Sequence, residues 1–225
     1  NRAGCGILSP HLGQPALNAE MTDQVCYLNG EFLPLDQAKI SVLDRGFIFG
    51  DAIYEVIPAY HRKPLRLAAH LARLNRSLAE IRIAPPLSDG EWSGLIDELI
   101  GHQASEDQAV YLQVSRGVAK REFGLLQGIE PTVFMLSSPF VAPPKQQIDN
   151  GVAAVSLPDF RWLRCDIKST SLLGANMLRQ FANDAGGAEL LDDARAFHLH
   201  RLAGEVDVRE LQPIVGVGVR GDRGE

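Results

Sequence analysis

Cysteine is scarce in this sequence: three in 225 residues, Cys5, Cys26 and Cys165, far apart and odd in number. No CxxC pair and no framework of bridges is present, which argues against a disulfide-stapled secreted scaffold and for a reducing interior such as the cytoplasm. Positive charge is also in deficit, with 22 Lys and Arg against 28 Asp and Glu and a net charge of −6. Phosphate backbones need a basic field, so nucleic acid is not expected as a partner. No apolar run approaches the ~20 residues of a membrane span. There is no internal repeat, no P-loop and no G-x-S-x-G elbow. What is present is the usual mix of a globular protein, 45% hydrophobic and 22% charged. The length suits one large domain or two small ones, and either can bury a core.

The chain opens on Asn1, and residues 1–20 lack a basic start, an apolar stretch and any period. Ordered text begins after Met21, so the expectation is a natural start at Met21 with an extraneous extension before it. "VCYLNGEFLPL" predicts a hairpin turning on Asn29-Gly30, which accept positive φ. "DAIYEVIPAY" predicts a strand, returned by "HRKP" to "LRL". Leu71, Leu74, Leu78 and Ile81 fall three and four apart and predict a one-faced helix, ended by Pro85-Pro86. Ser88 and Glu91 have capping-box spacing ahead of a stripe of Trp92, Leu95, Ile96 and Leu99. "AVYLQVSRG" and "PTVFMLSS" read as strands. The proline-rich segment 139–151 reads as a linker. Beyond it come a strand "VAAVSL", a helix "LLGANMLRQFANDA" closed by Gly186-Gly187, and a short strand "AELL". The pattern is α+β in two parts: a small domain over 21–140 and a second domain over 141–225. From about residue 192 the text loses its period.

Most motif matches carry little. "GVGVRG" at 216–221 satisfies G-x-G-x-x-G without the strand before and helix after that a dinucleotide site requires. The "RGD" at 220–222 means nothing without a display loop. His198 and His200 could share a strand face, but no third ligand is signposted, so no metal site is expected. "RGFIFGDAIYEVI" is more informative, since Gly46 and Gly50 bracket two aromatics before a strand placing Tyr54, Val56 and Pro58 on one face. Taken alone, Tyr54 reads as a half-buried core tyrosine. Arg73, one position off the Leu71/Leu74 stripe, reads as a solvated arginine. Lys168 in "DIKSTSLLGANML" is a strand-end lysine in water or a nucleophilic amine held in a pocket.

"RGFIFGDAIYEVI", "HLARLNRSLAEIRI", "YLQVSRGVAKR" and "DIKSTSLLGANML" together, in this order and spacing, resemble the class IV aminotransferases, the fold-type IV pyridoxal-phosphate enzymes. Within that family the chain is most similar to the D-amino acid aminotransferases. The resemblance runs from about Val25 to Leu191. It implies that Lys168 is the lysine joined to pyridoxal phosphate and that Arg73 holds the cofactor phosphate. It further implies that Tyr54 lines the substrate pocket and that Arg121 binds the substrate α-carboxylate. Phe123 stands where the D-amino acid enzymes often carry a histidine, removing a polar partner from that carboxylate site. The chemistry suits these residue types. A lysine amine forms an imine with an aldehyde and, once freed, moves a proton. An ordinary lysine pKa of ~10.4 is too high for a base at neutral pH, so such sites lower it by burial or nearby positive charge. Arginine brings a planar, permanently charged fork to a phosphate.

The tail departs from the family. A family glutamate some thirty residues past the lysine pairs with the cofactor ring nitrogen. Here "FHLHRLAG", with His198 and His200, occupies that region, and Glu205 is the nearest glutamate. The second domain is therefore expected to be incomplete, with its atypical tail weakening the cofactor site. The implied activity is transamination between a D-amino acid of the D-alanine type and 2-oxoglutarate or pyruvate, in a homodimer. The rivals are a branched-chain aminotransferase or an aminodeoxychorismate lyase of the same fold, or a non-catalytic remnant.

Overall fold

The computed structural model describes residues 24–140, 142–151, 154–184 and 189–193. The expectations for residues 1–20, Met21, Gly186-Gly187, His198, His200, Glu205 and the glycine-rich segment 216–221 lie outside them. The chain divides between Phe140 and Val141 into two compact units, each taken by itself below.

The first unit is an antiparallel sheet of six strands in the order β2-β1-β6-β5-β3-β4. The strands are β1 (Val25–Leu28), β2 (Glu31–Pro34), β3 (Ala52–Tyr60), β4 (Lys63–Pro64), β5 (Gln108–Ser115) and β6 (Thr132–Pro139). The β1–β2 hairpin turns on Asn29 and Gly30, with φ of 49° and 102°, and pairs Leu28 with Glu31, as the Asn-Gly signal predicts. The return after β3 is shorter than expected. His61 and Arg62 take φ of 47° and 62°, β4 pairs only Pro64 and Lys63 with Ala59 and Tyr60, and "LRL" runs directly into a helix.

Among the described residues of this unit the α-helices are α1 (Arg45–Phe49), α2 (Leu67–Glu80) and α3 (Asp89–His102). The two longer ones pack against the sheet and each other. Leu71, Leu74 and Leu78 of α2 are buried, but Ile81 caps the helix end half-buried and Ile83 enters the core instead. The chain turns there because Arg82 takes a left-handed φ of 57°. In α3 the predicted capping box is formed: Ser88 Oγ accepts from Glu91 N at 3.3 Å while Glu91 Oε2 accepts from Ser88 N at 2.7 Å. Trp92, Ile96 and Leu99 are buried together with Ile100, whereas Leu95 lies at the margin. Each such large apolar side chain contributes roughly 1.5–3 kcal/mol of burial. On β3 the alternation places Ile53, Glu55, Ile57 and Ala59 inside and leaves Tyr54, Val56, Pro58 and Tyr60 on the less covered face.

The second unit contains α4 (Lys145–Asn150), β7 (Ala154–Pro158), α5 (Leu173–Asp184) and β8 (Glu189–Asp193). β7 and β8 pair in parallel from Ala154↔Glu189 to Pro158↔Asp193, so α5 lies on a crossover connection. Leu157, Leu178 and Ala182 form its buried cluster, with Phe181 packed against them. The segment 139–151 is not simply a linker. Pro144 caps α4 at its N-terminal end, where the missing proline N–H costs no helical hydrogen bond. Among the described residues no helix is long and apolar enough to cross a membrane.

Candidate active site

A carboxylate at an inward position of a strand must be paired, because an isolated buried charge is expensive. Glu55 stands between Ile53 and Ile57 with its side chain 0% exposed. Its partners come from α2, where the i, i+3 spacing puts His70 and Arg73 on one face. Arg73 Nε donates to Glu55 Oε1 at 2.7 Å and Nη2 donates to Oε2 at 2.6 Å, a two-pronged pair. His70 Nδ1 lies 2.9 Å from Oε2, and an ionised carboxylate can only accept, so Nδ1 carries the proton. Burial pushes the Glu55 carboxyl up, but the hydrogen bonds and charges of Arg73 and His70 outweigh it and hold it below its ordinary range. The Glu55 hydrogen bond in turn raises Arg73 further above neutrality, with a smaller contribution from Tyr54.

Arg73 remains 41% exposed, and Glu55 takes its Nε/Nη2 edge. Among the described residues nothing takes its Nη1. An anion arriving there meets a donor of fixed direction, which suits a phosphate group. Tyr54, next to Glu55 on β3, stacks on Tyr111 at 5.8 Å and 27° on the less covered face, and Tyr111 continues to Phe134 at 6.3 Å. Tyr54 is thus half-buried at the side of an aromatic stripe.

A second buried network lies at the start of β3. Asp44, 2% exposed, caps α1 by accepting from Gly46 N at 2.8 Å, and also accepts from Ser115 Oγ at 2.9 Å and Thr132 Oγ1 at 2.7 Å. A side chain at Gly46 would collide with Ser115, so the α1 turn can approach β5 this closely only at glycine. Asp51 is gripped by two arginines. Arg45 Nε donates to its Oδ2 at 2.8 Å, and Arg116 donates to Oδ2 at 2.7 Å and Oδ1 at 3.0 Å. Both guanidiniums are nearly inaccessible, at 4% and 3% exposed. Their remaining N–H groups go to main-chain oxygens: Arg45 to Glu122 at 2.7 Å and Gly124 at 2.8 Å, Arg116 to Ile81 at 2.6 Å and Leu126 at 3.1 Å.

Ile81 ends α2; the other three carbonyls belong to the connection 116–131 between β5 and β6, longer than the ~12–15 residues usual for a loop without regular structure. At its root Gly117 has φ of 95° and lies so close to the Glu130 carbonyl that any Cβ would overlap it. The loop carries Arg121 and Phe123. Both are exposed, Phe123 to 85%. The Arg121 guanidinium lies 5.5 Å from the Phe49 ring centre and 5.8 Å from that of Phe123, and among the described residues no carboxylate pairs with it.

In the second unit, Lys168 lies half-buried in the connection between β7 and α5. Its neighbours Ile167 and Ser169 are 5% and 9% exposed. Ile167 N donates to Arg164 O at 3.0 Å and Ser169 N to Ile167 O at 2.9 Å, turning the chain on either side of the lysine. Arg73, Tyr54, Arg121 and Phe123 belong to the first unit and Lys168 to the second.

Sequence reasoning missed Glu55, His70, Arg45, Asp51 and Arg116. Glu55 was findable, since strand alternation puts it among inward apolar residues and a helix with His and Arg three apart follows. The Asp51 pair offered no such signal, because Arg116 is 65 positions away.

A family model described as amino-transferase class IV matches residues 52–195. The D-alanine aminotransferase of Bacillus licheniformis is 39% identical over 163 residues, covering 72% of this chain and 57% of that protein. That of Staphylococcus haemolyticus is 36% identical over 156 residues, covering 69% and 55%. The chain thus spans about half the length of the curated relatives it matches. Among solved structures, the branched-chain aminotransferase of Thermoproteus uzoniensis with norvaline superposes with a TM-score of 0.66 at 22% identity, over 76% of this chain and 60% of that one. A hypothetical aminotransferase of Mycobacterium tuberculosis in its PLP-bound form gives 0.60 at 21%, over 75% and 61%. Its α+β fold matches theirs, and by the residues of β3 through β8 the chain belongs to the class IV aminotransferases.

Proposed function

We propose that this chain takes part in pyridoxal-phosphate-dependent transamination between a D-amino acid of the D-alanine type and a 2-oxo acid such as 2-oxoglutarate or pyruvate. The supporting relatives are D-alanine aminotransferases at 36–39% identity. The observation that carries the reading is Arg73. Its fork is fixed by the buried Glu55 on one edge and has Nη1 open on the other. That arrangement fits the phosphate end of the cofactor. The bound coenzyme supplies an aldehyde for attachment and an electron sink for the bond broken at the substrate α-carbon.

Lys168 Nζ would hold that aldehyde and carry the proton lifted from the α-carbon. Arg73 would keep the phosphate in place while substrates exchange. Arg121 would take the α-carboxylate by two parallel hydrogen bonds, and Tyr54 would form a wall of the pocket. Phe123 offers this carboxylate site no donor, which favours a second reading, the branched-chain aminotransferase. We further place the protein in the cytoplasm, in amino-acid metabolism, as a homodimer. The scarcity of cysteine agrees with that setting.

The test is an absorbance spectrum of the purified protein with pyridoxal phosphate, followed by borohydride and mapping of the labelled peptide. A visible band fixed on Lys168, and bleached by D-alanine but not by L-leucine, is expected. Bleaching by L-leucine alone selects the branched-chain reading. No band, or label elsewhere, ends the proposal and leaves a non-catalytic remnant.

A further inference from the structure

The loop that presents Arg121 has no strand or helix of its own to hold it. Main-chain bonds tie its root to residues 43–45, and beyond them side chains of the first unit hold its path. Arg45 sits on α1, ionically fixed to Asp51, with Nη1 and Nη2 spent on the carbonyls of Glu122 and Gly124. These two oxygens flank Phe123 and follow directly on Arg121, so the grip falls at the point where the loop displays its charged and aromatic side chains. The backbone of the same residue is tied to the loop root, where Arg45 N donates to Gly117 O at 2.9 Å. Phe49, four residues on in the same helical turn, gives its ring to both cations: Arg45 Cζ lies 4.7 Å from its centroid and Arg121 Cζ 5.5 Å. Phe123 closes the group at 5.7 Å from Phe49. Among the described residues Arg121 therefore has no ionic tether, and its direction is set by a ring beneath it and by a backbone that Arg45 holds.

We infer that Arg45 and Phe49 are positioning residues, which fix the 119–126 loop and thereby aim the Arg121 guanidinium at a carboxylate of the substrate. The inference rests on the reading of Arg121 as the carboxylate anchor under Proposed function. Arg45 itself touches no substrate, because its side chain is buried and each of its three nitrogens already donates within the protein. Lysine in its place keeps a charge for Asp51, but its donors share one nitrogen and cannot stand where Nε, Nη1 and Nη2 separately meet Asp51, Glu122 and Gly124. Leucine at position 49 keeps the bulk and loses the ring face.

The experiment compares R45K and F49L with the parent in the full chain. Steady-state kinetics are measured with D-alanine and 2-oxoglutarate, and amide deuterium exchange is followed peptide by peptide. In both variants KM for the amino acid and the oxo acid rises about tenfold while kcat changes less than about threefold, as expected when a substrate-orienting cation is misdirected. Exchange quickens over 119–126, and the visible cofactor band is unchanged. The inference is overturned if KM stays within about twofold of the parent in both variants. It is also overturned if exchange over 119–126 is unaltered, or quickens equally throughout the first unit with kcat falling and KM unmoved. F49L does not touch Asp51, so it decides the matter should R45K fail to fold. Exchange is read whether or not the parent transaminates. An inactive parent with normal loop protection therefore defeats the proposed function alone, while unaltered exchange in the variants defeats the positioning role.

Discussion

Glu55→Gln is the sharpest probe of the Arg73 site, because it keeps size and one acceptor while removing the charge that Arg73 and His70 both address. Hydrogen bonds to charged groups contribute roughly 1.5–3 kcal/mol each, and stripping one partner from a fully buried pair costs about 3–5 kcal/mol. Only the carboxylate is fully buried here. Arg73 is 41% exposed, so water replaces part of what the guanidinium loses and the Coulombic share is discounted accordingly. About 2 kcal/mol remains, or a fall of roughly 4–8 °C in Tm for a chain of this size. The pH dependence has a definite sign. The folded-state carboxyl is held below its ordinary value of 4.5, so its contribution is complete above that value and is lost as pH falls through the folded pKa. In urea titrations the gap between parent and variant should be constant from about pH 5.5 to 8 and should close on acidification below 4.5. Cofactor affinity should fall about tenfold at pH 7.5, since the fork of Arg73 loses its fixed edge. A variant within about 0.5 kcal/mol of the parent at pH 7, or a gap that persists undiminished at pH 3, would refute the assignment of Glu55 as the ionised holder of Arg73.

Other perturbations test separate links. Lys168→Ala should abolish the borohydride-fixable visible band and lower turnover by at least about 10³-fold, measured with D-alanine; an unchanged band would exclude Lys168 as the attachment point. Gly117→Ala should cost about 2–4 kcal/mol in urea unfolding, because its φ is 95° and the added methyl meets the Glu130 carbonyl. Ser88→Ala should cost about 1 kcal/mol by removing one half of the α3 capping box, without altering the cofactor spectrum.

Local chemistry was legible from the sequence. Asn29-Gly30 specified its hairpin, Ser88 and Glu91 their cap, and Leu71, Leu74 and Leu78 the buried side of α2, because each signal spans a few residues. The α4 helix was obscured by the prolines that make 139–151 read as a linker, although a proline ahead of a first turn is compatible with a helix. Ile81 fitted the apolar period, yet left-handed Arg82 redirected the chain and gave the buried place to Ile83. Lys168, Arg73, Tyr54 and Arg121 were singled out by family resemblance, since spacing alone left each of them open. The clamp around Asp51 was not legible by either route. Three of its bonds join residues 65, 77 and 79 positions apart, and several end on carbonyls, which leave no mark in the order of side chains.

That last property has an evolutionary corollary. Arg45 and Arg116 grasp oxygens that every amino acid owns, so the residues at 122 and 126 are free to mutate without loosening the hold on them, while position 124, at φ 110°, is kept for glycine. The rim of the site can drift, exchanging a phenyl ring for an imidazole at position 123 or the reverse, while its scaffold stays put. Diversification of substrate preference then requires no compensating change in the interior.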